Sequence, residues 1–290
     1  MQYIKGLDAF DGRNHTAVTL GKFDGLHRGH QKLLNRIIKY AQKEDCDSVV
    51  CAFDMDRDCL MTNEERRAFL EDKVDYLIEI PFTREMMEME AEKFIDEILH
   101  KKLHASYIVV GTDFNFGHEK RGNHQMLEKY AAKYGYTVDV VEKAYYKDRE
   151  ISSTYIREAL EKGEMELAKD LLGYPYFVSG EVLHGRHMGG RLLFPTTNLI
   201  PTTRKLLPPN GVYVSRTHLE DGRILGGMTN IGYKPTVGEK FRGVETYLYD
   251  VDEDLYGADI RVELLHFIRP ERKFESLDAL REQMEKDIAC

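Results

Sequence analysis

The chain has 290 residues, more than a single domain usually contains, so two domains with separate hydrophobic cores are expected. Hydrophobic residues make up 42% and charged residues 31%, and no apolar run approaches the roughly 18 residues that a membrane span needs. A formal net charge of -9 argues against a nucleic-acid interface, because binding to a polyanion depends on clustered Lys and Arg. Any bound phosphates are therefore expected in small local pockets, with small molecules as partners.

The amino-terminal segment MQYIKGLDAFDGRN lacks the basic, apolar and cleavage segments of a secretory signal, so we expect a cytoplasmic protein. The four cysteines, Cys46, Cys51, Cys59 and Cys290, show neither CxxC spacing nor a matching histidine pattern. This spacing favours reduced thiols over a zinc site or a disulfide framework.

In the first half, apolar runs of strand length alternate with helical patterns up to about Gly173, which is typical of a parallel sheet with crossover helices. Strands are predicted at residues 17–20, 48–53, 76–80, 107–111 and 136–141. Helical faces are predicted from two sets of apolar residues: Leu33, Leu34, Ile37, Ile38 and Ala41, and Phe94, Ile95, Ile98 and Leu99. Residues 1–173 are therefore predicted to form a doubly wound, Rossmann-like α/β domain.

The pattern changes near Gly173, where short apolar runs begin to alternate with Gly, Pro, Asn and Asp clusters. Strands are predicted at residues 177–182, 211–217, 244–249 and 260–267, and a helix at residues 276–288. The acidic run DVDEDLYG predicts a solvent-facing hairpin loop. Residues 174–290 are therefore predicted to form a small antiparallel β-barrel with a C-terminal helix.

The stretch TLGKFDGLHRGH lies between a predicted strand and a helical pattern, where open α/β sheets bind ligands. Gly21, Gly25 and Gly29 let the backbone approach a phosphate closely. His27 and His30 fall at the positive end of the helix and can donate hydrogen bonds to a phosphate transition state and a pyrophosphate leaving group. The alternative is a tight turn, which does not explain two histidines at one helix start.

A second candidate element is ISSTYIREALEKG, in which Ser152, Ser153 and Thr154 are good helix N-caps. Arg157, in the first turn, opposes the helix dipole, so its position is explained if an anion also binds there. The alternative is an exposed arginine on an ordinary capped helix.

The segments GKFDGLHRGH, VVGTDFNFGHEKRGN and ISSTYIREAL occur in this order and resemble the adenylyltransferase half of the bifunctional bacterial riboflavin kinase/FAD synthetase family. The resemblance implies that the FMN phosphate attacks the α-phosphorus of ATP in line, with Mg²⁺ assistance and loss of pyrophosphate, and that His27 and His30 are catalytic. It implies ATP and phosphate contacts from Gly21, Phe23, Asp24, Gly29, Ser152, Ser153, Thr154 and Arg157, and lining of the flavin or nucleotide site by Asp113 and Phe116. One departure, Met55 and Asp56 in place of the usual Pro and His, predicts an altered flavin pocket.

The second half opens with GEVLHGRHMGGRLLFPTTNL, whose glycine-rich loop can cradle phosphates through backbone N–H groups. The side-chain oxygens of Thr196 and Asn198 suit a phosphate-bound Mg²⁺. Taken alone, PTTN is also compatible with a turn at a sheet edge.

The segments LLPPNGVYVSR, GGMTNIGYKPTVG, VETYLYDVDEDLYG and IRPERKF follow in this order and resemble the riboflavin kinase module of the same family. The resemblance implies that Glu245 is the general base for the ribityl 5′-hydroxyl, a role that typically contributes about 10²- to 10⁴-fold in rate. The implied ATP and flavin contacts are Gly185, Gly189, Arg191, Phe194, Pro195, Thr196, Asn198 and Arg269, with Thr196 and Asn198 as metal ligands. The alternative for Glu245 is a solvated strand face.

The kinase loop departs from the family pattern at Gly190, where Arg is usual, and at Leu193, where Gly is usual. The favoured hypothesis is an enzyme that makes FMN from riboflavin and FAD from FMN. Three alternatives stay open: an FAD synthetase with an impaired kinase, another small-molecule nucleotidyltransferase, and a flavin-binding regulatory paralogue without turnover.

Overall fold

The computed structural model describes residues 1–54, 58–183, 196–235, 240–251, 253–272 and 274–288. Several sequence predictions lie outside the described residues, namely those on Met55, Asp56, Gly185, Gly189, Gly190, Arg191, Leu193, Phe194, Pro195 and Cys290. The chain divides into two compact units, Met1–Ser152 and Ser153–Cys290.

The first unit is built on a parallel sheet. Its strands are β1 (Gln2–Lys5), β2 (Thr16–Gly21), β3 (Asp47–Asp54), β4 (Tyr76–Pro81), β5 (Ala105–Gly111), β6 (Asn115–Phe116), β7 (Gly122–Asn123), β8 (Thr137–Val141), β9 (Tyr145–Tyr146) and β10 (Arg149–Glu150). Six of them form one parallel sheet in the order β1-β4-β3-β2-β5-β8, and β6-β7 and β9-β10 form small antiparallel ribbons. All five predicted strands are confirmed, and β1 is an additional edge strand paired with β4.

Helices cross between these strands. They are α1 (Arg28–Glu44), α2 (Asn63–Leu70), α3 (Arg84–Glu88), α4 (Ala91–Lys93), which continues as π-helical turns over Phe94–Lys102, and α5 (His124–Tyr134), with 3₁₀ turns at Leu7–Ala9 and His118–Lys120. The predicted faces turn inward: α1 buries Leu34 and Ile37, and the π-helical turns bury Ile95 and Leu99. Within the sheet, β3 and β4 follow β2 in one direction, whereas β5 and β8 follow it in the opposite direction. The direction in which successive strands are added therefore reverses between β2 and β5. This doubly wound order places a ligand crevice beyond the carboxyl ends of these two strands.

The described residues of the second unit form helices and an antiparallel sheet. Its elements are α6 (Ser153–Glu161), α7 (Met165–Leu172), β11 (Tyr176–Glu181), β12 (Thr196–Leu199), β13 (Gly211–Leu219), β14 (Ile224–Pro235), β15 (Lys240–Leu248), β16 (Asp259–Pro270) and α8 (Leu277–Ile288). The sheet order is β11-β16-β13-β14-β15-β12, and every pairing is antiparallel. The N–H of Leu183, just after β11, donates to the Asn198 carbonyl on β12 at 2.9 Å, so the sheet curls until its two edges meet. This half-barrel confirms the predicted fold class.

The prediction of a hairpin at DVDEDLYG is wrong. The segment joins β15 to β16, but β14 and β13 lie between these two strands in the sheet. The pattern showed a polar turn after one strand and before another, but strand neighbours depend on pairing across the whole sheet.

Within the described part of the chain, no helix combines the length and apolar character that crossing a membrane requires.

Candidate functional sites

The loop between β2 and α1 contains three residues with left-handed backbone. Phe23 has φ 46°, Gly25 φ 79° and Leu26 φ 36°. Side chains with a Cβ rarely adopt this conformation, and it persists only where the surrounding packing holds it. The Phe23 and Leu26 side chains supply that packing, being 1% and 0% exposed. Buried apolar side chains therefore keep this turn in an otherwise unfavourable shape.

His27 and His30 meet at the start of α1. His27 is the N-cap, and its Nδ1 accepts a hydrogen bond from the His30 N–H at 3.4 Å. The two imidazoles stack with ring centroids 3.7 Å apart and planes 21° apart. A Cβ on Gly29 would lie 3.1 Å from Nδ1 and Cε1 of His27, which is tighter than most Cβ contacts. The glycine therefore makes room for the stacked histidine pair.

Both histidines are neutral at pH 7 in this structure. Burial lowers the pKa of His27 to about 4. Burial, followed by electrostatic interactions with His27 and with the Arg66 charge, lowers the pKa of His30 well below its ordinary value. Nδ1 of His30 is buried and has no hydrogen-bond partner among the described residues. The pair can thus act through neutral ring N–H donors.

Two of the predicted phosphate-binding residues support the loop between β2 and α1 from within. This loop, residues 22–27, is called the histidine loop below. The carboxylate of Asp24 is buried, and its Oδ1 accepts the N–H groups of Leu60 at 2.7 Å and Met61 at 3.4 Å. The ring of Phe23 lies 5.2 Å from that of His30. These contacts hold the loop, and direct contact of either residue with phosphate stays a prediction.

The loop that follows β5 faces the same crevice. Asp113 is mostly exposed, and its Oδ2 lies 3.1 Å from Nζ of Lys143, which also donates to Glu150 at 2.8 Å. Sequence reasoning missed Lys143 and Glu150, because neither belongs to a glycine-rich or histidine motif. Phe116, predicted to line the nucleotide site, is 7% exposed and packs in the core with Phe94, at a centroid distance of 5.3 Å.

The SST segment crosses the boundary between the two units. Ser152 closes the first unit, and the Ile151 carbonyl just before it lies 3.9 Å from where a Gly29 Cβ would be. Ser153, Thr154 and Arg157 lie on α6 in the second unit. The predicted helix start is confirmed, and the anion-binding role of these residues stays a prediction.

In the second unit, strand register brings three polar residues into one row across neighbouring strands. Two of them, Asn198 and Glu245, are predicted site residues. Asn198 on β12 is the partner of Glu245 on β15, and Glu245 is in turn the partner of Asn230 on β14. Paired residues point to the same face with Cβ atoms about 5 Å apart. The Thr196 hydroxyl donates to Glu245 Oε1 at 3.4 Å. Sequence reasoning missed Asn230, which only the pairing of β14 with β15 brings beside Glu245.

A cavity of about 210 Å³ adjoins this row. Its lining includes Thr196 and Thr197 on β12 together with Glu253, Leu255 and Tyr256 from the acidic loop. The loop therefore lines a concave surface beside the predicted metal ligands, which the expectation of a solvent-facing hairpin did not anticipate.

Arg269, predicted to contact kinase ligands, pairs with α8. Its guanidinium donates to both carboxylate oxygens of Asp287, with the shortest contact 2.6 Å, and Asp287 is 4% exposed. This pair docks the C-terminal helix onto β16, and a ligand contact from Arg269 stays a prediction.

The donor set fits a metal ion held mainly by substrate phosphates. In the described part of the chain, no three His, Cys, Asp or Glu side chains cluster as metal ligands. The hydroxyl of Thr196, the amide oxygen of Asn198 and the carboxylate of Glu245 are hard oxygen donors on adjacent strands. Mg²⁺ in phosphotransferases takes few protein ligands and completes its shell with phosphate and water.

Comparisons with known proteins cover both halves of the chain. A family model described as FAD synthetase matches residues 11–155, and one described as riboflavin kinase matches residues 172–290. Proteins named bifunctional riboflavin kinase/FMN adenylyltransferase are similar over nearly the full length: that of Haemophilus influenzae is 36% identical, covering 99% of this chain and 97% of its own. The Bacillus subtilis protein of the same name is 35% identical, covering 94% and 90%. A crystal structure described as a macrolide-efflux protein from Streptococcus pneumoniae superposes with a TM-score of 0.86 at 29% identity, covering 99% and 97%.

Proposed function

The chain belongs to the bifunctional riboflavin kinase/FMN adenylyltransferase family, and from this we propose that it makes FMN from riboflavin and FAD from FMN. Each step consumes one ATP: the first transfers the γ-phosphoryl group and releases ADP, and the second transfers AMP and releases pyrophosphate. The observation that carries the second reaction is the stacked, neutral pair of His27 and His30 at the start of α1.

For adenylyl transfer, a phosphate oxygen of FMN attacks the α-phosphorus of ATP, and the bond to the bridging oxygen of pyrophosphate breaks. Negative charge grows on the equatorial and leaving oxygens in the transition state. His27 and His30 donate ring N–H groups to these oxygens, aided by the free N–H groups at the N-terminus of α1. The chemistry needs no covalent enzyme intermediate.

For riboflavin phosphorylation, Glu245 accepts the proton of the ribityl 5′-hydroxyl as that oxygen attacks the γ-phosphorus. The position of Glu245 between Asn198 and Asn230, within 3.4 Å of the Thr196 hydroxyl, supports this role. Thr196 and Asn198 would hold a Mg²⁺ that neutralises phosphate charge when bound. The cavity beside Thr196 supports ATP binding at this end of the sheet.

We further propose that the functional boundary between the two activities lies at Gly173, after α7. The two family models support it, since one ends at residue 155 and the other begins at residue 172. A cytoplasmic location fits the use of ATP and the free thiols of Cys46 and Cys51.

The proposal is tested by incubating the purified chain with Mg-ATP and either riboflavin or FMN, then separating the flavins by chromatography. FAD from both substrates, with ADP and pyrophosphate as separate products, is the expected result. FAD from FMN alone would restrict the activity to adenylyl transfer. Flavin binding with no product from either substrate would overturn the proposal in favour of a regulatory protein.

A further inference from the structure

A buried ion pair that the proposed mechanism does not use lies beneath the histidine loop. Arg66 on α2 and Glu79 on β4 are each 4% exposed, and the Arg66 guanidinium donates to Glu79 Oε1 at 2.8 Å. The Tyr3 hydroxyl on β1 donates to the other Glu79 oxygen at 2.5 Å. Burial and this hydrogen bond raise the pKa of Tyr3 to about 12, so its hydroxyl stays protonated and keeps donating.

Burying a charge is costly unless the charge is paired and hydrogen-bonded, and this network meets that condition only in part. One terminal nitrogen of Arg66 bonds both Glu79 and the Asn63 side chain, the latter at 2.7 Å. Its Nε is buried and has no hydrogen-bond partner among the described residues. The ion pair and the Asn63 contact therefore use only part of the hydrogen-bonding capacity of Arg66.

The remaining contacts of Arg66 lead to the histidine loop. Its second terminal nitrogen lies 3.5 Å from the carbonyl oxygen of Lys22, the residue after β2, where the loop begins. The segment before α2 also bonds the loop, through Asp24 and the N–H of Leu60. Two independent links thus join residues 60–66 to the loop, and one of them is a fixed positive charge that acts on His30.

We propose that Arg66 is a positioning residue for adenylyl transfer, holding the Lys22 carbonyl at the base of the loop and keeping a fixed positive charge beside His30. The guanidinium fork connects the Lys22 carbonyl to Asn63 and Glu79, and its charge opposes protonation of His30. The inference rests on the proposed synthesis of FAD by the segment before Gly173.

The test compares Arg66→Met, Arg66→Lys and Glu79→Gln in the full chain, with FAD formation from FMN measured between about pH 5 and about pH 8. In Arg66→Met we expect kcat to fall about 10- to 100-fold with less change in the KM for FMN, because a misplaced loop misaligns the reacting groups. The acid limb of its pH profile should move to higher pH, since the charge that disfavours protonated His30 is gone. Arg66→Lys should lower kcat but leave the acid limb in place, because lysine keeps the charge without the fork.

Arg67→Met is the matched control, because Arg67 is the next residue on α2, is exposed, and lies over the Tyr3 ring at 4.9 Å. Riboflavin phosphorylation by the same chain and the circular dichroism spectrum report whether each variant folds. If Arg66→Met is unfolded, the Lys and Gln variants decide: we expect Glu79→Gln, which keeps Arg66 charged, to leave the acid limb in place.

The inference would be overturned if folded Arg66→Met had the parental pH profile and a kcat within about twofold of the parent. It would also be overturned if Arg66→Lys and Glu79→Gln both gave that result. An equal loss in Arg67→Met would also overturn it. If the parent chain itself made no FAD, the proposed function would fail before any variant was compared.

Discussion

The two candidate sites assemble their polar side chains in opposite ways. His27 and His30 lie three positions apart at one helix start, stacked and neutral, with His27 buried and the Nδ1 atom of His30 buried. Asn198, Asn230 and Glu245 come from three strands and stay partly exposed on one face of the half-barrel. The first site therefore depends on local chain shape and desolvation, whereas the second depends on strand register. Variants of the two sites should separate the two activities.

The largest effect is expected from Glu245→Gln, which keeps the size of the side chain but removes the proton acceptor. Formation of FMN from riboflavin should fall about 10²- to 10⁴-fold, whereas formation of FAD from supplied FMN should stay at the parental rate. Rates are read by chromatography of the flavins. Glu275→Gln, an exposed position before α8, is the control. Loss of both activities in a folded Glu245→Gln chain would contradict two separate sites.

His30→Ala should produce the reverse pattern. Removing one preorganised donor to the transition state lowers kcat by about 10²- to 10³-fold, so FAD formation should fall while riboflavin phosphorylation persists. The exposed His15→Ala serves as the control. Full FAD synthesis by His30→Ala would remove the mechanism assigned to the loop.

The burial of His27 should also be visible as a pH-dependent stability. Its pKa is about 4 when folded and about 6.5 when unfolded, so the unfolded chain binds the proton first as pH falls. The stability that neutral, buried His27 contributes is fully present above the unfolded pKa. It is lost as the pH falls towards the folded pKa. Between pH 7 and pH 5 this costs about 2 kcal/mol of unfolding free energy. Urea titrations at both pH values should show His27→Gln losing less stability than the parent, and an equal loss would count against a buried neutral His27.

The smallest effect is expected from Gly29→Ala. The added Cβ would lie 3.1 Å from the His27 ring, so the ring must shift by a few tenths of an ångström. FAD formation should fall about 10-fold, since small misplacements of catalytic groups are costly. At Gly180 the nearest atom to an added Cβ is 4.0 Å away, so Gly180→Ala is the control and should synthesise FAD at the parental rate. Equal rates in the two variants would show that the stacking geometry does not matter.

The sequence alone determined the features that depend on local residue patterns, namely the positions of several strands and of one helix start. Alternating apolar runs predicted β2, β3, β4, β5 and β8, because period and length report burial along one element. The short spacing of His27 and His30 placed them at one helix start for the same local reason. The glycine-rich β14 and the short edge strand β1 carried no such pattern, so they were not predicted.

The tertiary structure alone decided which elements are neighbours and how far each group is removed from water. It separated β15 from β16, brought Asn230 beside Glu245, and paired Arg269 with Asp287. It also made His27 and His30 neutral and set Arg66 beneath them, since pKa values follow from desolvation and nearby charge. These properties arise from contacts between residues far apart in the chain, which no local spacing encodes.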